Sequence, residues 1–89
     1  MNQAIVDPEQ LRRFAANLKV FSEDLQQRAT ALGTQMNQLE QTWRDQQQRK
    51  FAAEFEDNLR QIAKLVESSR QHVPYLLRKA EQAEQYLNG

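Results

Sequence analysis

Leu39-Glu40-Gln41-Thr42-Trp43-Arg44-Asp45-Gln46-Gln47-Gln48 is the stretch on which the fold turns. Upstream of it, leucine recurs every seven residues, at Leu11, Leu18, Leu25, Leu32 and Leu39. A repeat of seven keeps apolar side chains on one stripe of an α-helix. Downstream of it a second apolar stripe begins, and Asp45 stands three residues before Gln48, the spacing of a capping box that opens a helix. The lone tryptophan, Trp43, therefore sits at the bend between two long amphipathic helices.

The first helix opens at Asp7-Pro8-Glu9-Gln10. Asp7 is placed to cap unpaired backbone N–H groups, proline suits the first helical position, and Gln10 completes a second capping-box spacing. From there Leu11, Phe14, Leu18, Phe21, Leu25, Ala29, Leu32, Met36, Leu39 and Trp43 follow three- and four-residue steps. The stripe drifts by one position midway, from Phe14 and Phe21 to Ala29, Met36 and Trp43, as expected of a nearly straight helix with 3.6 residues per turn. Gly33 lies inside this helix and costs it about 1 kcal/mol relative to alanine.

The second stripe runs Ala52, Phe55, Leu59, Ile62, Val66, Ser69, Val73, Leu76, Ala80, Ala83 and Leu87, widened by Phe51, Leu65 and Tyr86. It passes Pro74 without a change of phase, so the helix is expected to kink there and resume on the same face. Acid-before-base pairs four residues apart mark the outer faces: Glu9–Arg13, Asp24–Arg28, Glu40–Arg44, Asp45–Arg49 and Glu56–Arg60. Asn88-Gly89 reads as a C-terminal cap. The expected organisation is one helical-hairpin domain over residues 1–89, with helix one over 8–41, a bend over 42–45 and helix two over 46–87.

Helices of this length run roughly 50–60 Å, and so short a bend forces them antiparallel. Two such helices share one thin seam that is open on both sides. With no cysteine for a disulfide, the expected reinforcement is a second hairpin, giving an all-α four-helix bundle dimer. The residues expected to line the hairpin or dimer seam are Leu11, Phe14, Leu18, Phe21, Leu25, Leu32, Met36, Leu39, Phe51, Phe55, Leu59, Ile62, Val66, Val73 and Leu76.

Composition excludes several classes of function. Twelve basic and twelve acidic side chains leave no net charge, which argues against a nucleic-acid ligand or a polybasic membrane anchor. The absence of cysteine removes thiolate zinc sites. Met1 to Val6 hold neither a basic region nor an apolar run of leader-peptide length, and no segment reaches membrane-spanning length. His72 is the only histidine, and Glu54, Glu56 and Asp57 spread over different helix faces, so no metal or catalytic cluster is expected. Arg44, Arg49 and Lys50 each face nearby acids and read as helix pairing rather than phosphate binding. No glycine-rich phosphate loop or serine-nucleophile motif is present. The chain reads as a non-enzyme with no cofactor, no metal and no small-molecule substrate. Trp43 has two compatible roles: one face staples the bend, and the other is presented at the bundle tip, where interface hot spots form.

A chain of this length, with two heptad helices and a tryptophan at the bend, resembles the WXG family of small early-secreted-antigen-like proteins of bacterial type VII secretion. Leu39, Trp43 and Phe51 carry the resemblance by their spacing, and Phe55 and Leu59 continue it along helix two. The family's Trp-x-Gly reads Trp43-Arg44-Asp45 here, with an N-capping aspartate in place of glycine. A second departure is in the family's Tyr-x-x-x-Asp/Glu export signal, because Tyr75 is followed at that spacing by Lys79. The resemblance implies a homodimer, or a heterodimer with a related hairpin, recognised by a membrane-bound secretion ATPase. It implies Trp43, Arg44 and Asp45 as the bend and recognition motif. It also implies secretion without a cleaved signal peptide, from a cytoplasmic pool. The competing expectation from the residues alone is a cytoplasmic coiled-coil adaptor that is not exported.

Overall fold

The computed structural model describes residues 6–88. It contains two α-helices, α1 (Pro8–Leu39) and α2 (Gln46–Asn88), folded back on each other as an antiparallel hairpin. The expected absence of a leader at the chain's start and the cap at Gly89 lie wholly or partly outside the described residues.

Both helix starts are set by aspartates. Asp7 has extended backbone angles, and its carboxylate accepts a hydrogen bond from the Glu9 N–H at 2.9 Å, with Pro8 at the first helical position. Asp45 does the same for α2, accepting from the Gln48 N–H at 2.8 Å, while its carbonyl accepts from the Arg49 N–H at 3.3 Å. The end of α1 departs from the sequence reading: the helix stops at Leu39 rather than 41. Gln41 N–H and Thr42 N–H reach back only three residues, to the carbonyls of Gln38 and Leu39, so the last turn tightens and loses α geometry. The bend itself requires no left-handed residue, since no described residue has a positive φ. Asp45 therefore stands where the resemblance calls for glycine without backbone strain.

The helices meet along a line of short side chains. Ala15 and Ala80 have no exposure at all, and Ser22, Ser69 and Val66 are also buried. Between these sit half-buried residues of both stripes, among them Leu11, Leu18, Leu25, Ala29 and Met36 on α1 and Phe55, Leu59, Ile62, Val73 and Leu76 on α2. Only small groups can be sealed from water between two cylinders; longer side chains project past the line of contact on either side. Of the two buried serines, Ser22 is satisfied without crossing the seam: its hydroxyl donates to the Leu18 carbonyl at 2.8 Å.

Two polar contacts cross from one helix to the other. Arg12 near the open end of the hairpin pairs with Glu84, and Arg70 pairs with Gln26 further along. The hydrogen bond to Glu84 also makes the Arg12 guanidinium hold its proton more firmly than usual. α2 continues through Pro74 as one helix, in keeping with the unbroken phase of its apolar stripe. The whole hairpin measures 65 × 24 × 14 Å. Its least dimension is little more than the roughly 10–12 Å diameter of a single helix. The molecule is a single layer, with both broad faces open to water.

Candidate functional site

The bend is where the sequence concentrates its unusual chemistry. Trp43 is held by its own N–H, which donates to the Leu39 carbonyl at 2.9 Å and so continues the path of α1 by one more turn. Its ring lies against Phe51 on α2, with centroids 5.9 Å apart and planes inclined by 37°. Phe51 in turn contacts Phe55, again at 5.9 Å, tilted by 45°. The three rings make a tilted ladder that climbs from the bend onto α2, a geometry favourable for aromatic pairs. Trp43 is only half buried, and Phe51 remains 45% exposed.

Arg44 and Asp45, both exposed, bond back onto the backbone of the bend. Arg44 Nε donates to the Glu40 carbonyl at 3.1 Å, and its own carbonyl accepts from Arg49 at 3.4 Å. Neither of the ion pairs expected here, Glu40–Arg44 and Asp45–Arg49, is among those formed. Unpaired carbonyls at the end of α1 compete for the guanidinium groups, and the Asp45 carboxylate is already occupied by the α2 amide. Elsewhere the expected pairs Asp24–Arg28 and Glu56–Arg60 do form, at 3.0 and 3.7 Å. Glu9 meets Arg12 at 3.4 Å in place of Arg13, because Arg12 is the one turned toward α2 and Glu84. Asn37, Glu40, Gln48 and Glu56 join these arginines around a shallow polar hollow beside the bend.

A second feature runs the length of the molecule. Phe14, Phe21, Leu32, Leu39 and Phe51, all expected in a seam, are between 44% and 57% exposed. Helical periodicity puts the four α1 residues together on one flank of the Ala15–Ser22 line, while Lys19, Gln26, Thr30 and Asn37 occupy the other. Leu65 and Leu87, also exposed, extend the same flank along α2. The remaining seam residues, Leu11, Leu18, Leu25, Met36, Phe55, Leu59, Ile62, Val66, Val73 and Leu76, lie closer to the hairpin's own line of contact. A contiguous apolar flank on so small a protein is the signature of a protein–protein contact. Sequence reasoning took the buried Gln48 only as a capping-box position, and it did not single out Ala15 or Ser22, which are also among the most buried. Their signal was the four-residue step from Leu11 to Ala15 and from Leu18 to Ser22, hidden beside the more conspicuous leucines.

No group of three or more His, Cys, Asp or Glu side chains placed to hold a metal occurs among the described residues, and no described helix is long and apolar enough to cross a membrane. His72, Glu54, Glu56 and Asp57 are all exposed. The site consists of exposed apolar surface: an aromatic ladder at the tip, and an apolar flank leading away from it.

Compared with known proteins, residues 3–86 match the model of the WXG100 family, proteins of 100 residues with WXG. No curated protein and no solved structure matches the chain.

Proposed function

The chain belongs to the WXG100 family, which makes it a small protein associated with type VII secretion, and from that membership we propose that it is a non-enzymatic substrate or secretion partner acting as a dimer. Two hairpins pair through their apolar flanks into a four-helix bundle, and the membrane-bound secretion ATPase reads the bundle at the bend. Export proceeds without a cleaved leader, from a cytoplasmic pool. The observation that carries this reading is the half-exposed Trp43 ring, stacked on Phe51 at the tip of a hairpin whose neighbouring flank is apolar and open. One face of the indole is spent on the bend, and the other is free for a partner. Arg44 and Asp45 bond to the backbone on either side of Trp43, and their role in this reading is to set the shape of the motif.

The test is export. A host carrying the secretion system expresses the wild type and a Trp43→Ala variant whose helicity has been checked by circular dichroism. The expected result is wild type in the culture supernatant and the variant retained in the cells. Retention of the wild type, with a clean lysis control, would overturn the reading in favour of a cytoplasmic adaptor.

A further inference from the structure

We propose that the polar hollow beside the bend is a seat for a carboxylate carried on a partner's peptide segment, held by Arg44, Arg49 and Gln48. Such a seat serves the protein whether or not it is exported.

Two arginines line the hollow without an acid bound between them. Arg44 Nε donates to the Glu40 carbonyl at 3.1 Å, and Arg49 Nη1 donates to the Arg44 carbonyl at 3.4 Å. A guanidinium carries several N–H donors, so a single bond fixes its place and leaves most of them open. Neither arginine is in an ion pair, although Glu40 and Asp45 each stand one helical turn before one of them. Guanidinium groups fixed in advance, with donors to spare, bind carboxylates through paired, charge-assisted hydrogen bonds.

Gln48 points to a ligand independently of the arginines. It is 5% exposed, and its backbone N–H is tied to the Asp45 carboxylate. Its side-chain amide makes no hydrogen bond to any described residue. No polar side-chain atom among the described residues is sealed from water without a partner. The amide therefore opens onto the hollow that Gln48 lines. Polar groups on a residue this buried are seldom left without a protein partner. The Gln48 NH2 is a further donor for an oxygen seated by the arginines.

Charge and size narrow the ligand. Glu40 and Glu56 also line the hollow, and Glu56 is shared with Arg60 at 3.7 Å. Two arginines then stand against the one uncommitted acid, Glu40. The surplus matches a single carboxylate and disfavours the second charge of a phosphate. The hollow spans about 700 Å³, and Ala52 and Ala53 leave room in it by the shortness of their side chains. That is space for a peptide segment rather than a lone ion. Asn37, also in its lining, lies on the flank away from Phe14 and Phe21, so pairing through the apolar flank leaves the hollow open.

The test follows the Arg44 and Arg49 Nε–H and the Gln48 side-chain amide by magnetic resonance of the isotope-labelled full chain. Three short acetylated alanine peptides are titrated in: one with a blocked C-terminus and a single glutamate, the same with glutamine, and one ending in a free carboxylate. Inorganic phosphate is the fourth probe. The expected result is a saturable shift of all three signals with a carboxylate peptide and none with the glutamine peptide. The tighter binder of the glutamate and free-ended peptides tells an acidic side chain from a chain end. Arg44→Gln and Arg49→Gln, checked for wild-type helicity, should each weaken binding about tenfold. Arg28→Gln, which removes an arginine paired with Asp24 elsewhere on α1, should leave it unchanged. The proposal is overturned if neither carboxylate peptide gives a saturable shift on the wild type, or if the glutamine peptide shifts the signals equally. Tighter binding of phosphate, or an equal loss in Arg28→Gln, would overturn it as well. The wild-type titration decides even where a variant fails to fold. An empty hollow leaves the secretion reading standing, and failed export leaves the carboxylate seat standing.

Discussion

Asp45 shows how one residue substitutes for another at the same place by a different physical route. Glycine at a bend supplies backbone freedom. Here the backbone needs none, and the aspartate instead ties down an amide at the start of a 43-residue helix. Asp45→Ala should cost about 1 kcal/mol of stability, and Asp45→Gly, the family's own residue, only a few tenths, as read by urea denaturation. Gly33 offers the opposite case. A Cβ added there meets the Leu59 Cδ1 at 3.7 Å, ordinary van der Waals contact. Gly33→Ala should therefore stabilise the hairpin by up to about 1 kcal/mol through helix propensity and a less flexible unfolded chain. A lower denaturation midpoint would show that the helices approach more closely at that point than the contact allows. Both aspartate caps were legible in the sequence because their signal is local: the residue type, the spacing and the following run suffice. The roles of Arg44 and Arg49 were not. Four-residue spacing predicts ion pairs, but here the arginines bond to backbone carbonyls, Arg44 to that of Glu40 at the end of α1 and Arg49 to that of Arg44 in the bend.

Among the helices, the seven-residue leucine repeat revealed α1 and at the same time overstated its role in the hairpin. A repeat of seven lags a straight helix by about 20° per heptad. Leu11, Leu18 and Leu25 therefore face α2, while Leu32 and Leu39 have rotated onto the open flank and Ala29, Gly33 and Met36 have taken their place. The stripe is wider than one neighbouring helix can cover. That width was visible in the sequence, but which edge the hairpin would close was not, because it depends on the tertiary rotation of each helix. Leu25 and Ile62 belong to the covered edge midway along the seam. Leu25→Asp or Ile62→Asp buries an unpaired charge there, and each should dissociate or unfold the protein. Unchanged melting temperature and mass in both variants would contradict the assignment of the core.

At the scale of the whole molecule, a layer one helix thick has little interior: three apolar residues among those described are buried, two of them alanines. Scaffolds this small with neither disulfide nor metal draw stability from association. The proposed bundle accounts for the aromatic ladder and the apolar flank together, as the half that a single hairpin leaves uncovered, and it would leave the tryptophan bend at each end available to secretion machinery. The most direct test of this central claim is thermal unfolding of the wild type across a hundredfold range of protein concentration, with mass measured by sedimentation equilibrium. The account predicts a dimer whose melting temperature rises with concentration, because folding and association are coupled. A monomer with a cooperative, concentration-independent transition would contradict it, since the hairpin would then be complete on its own.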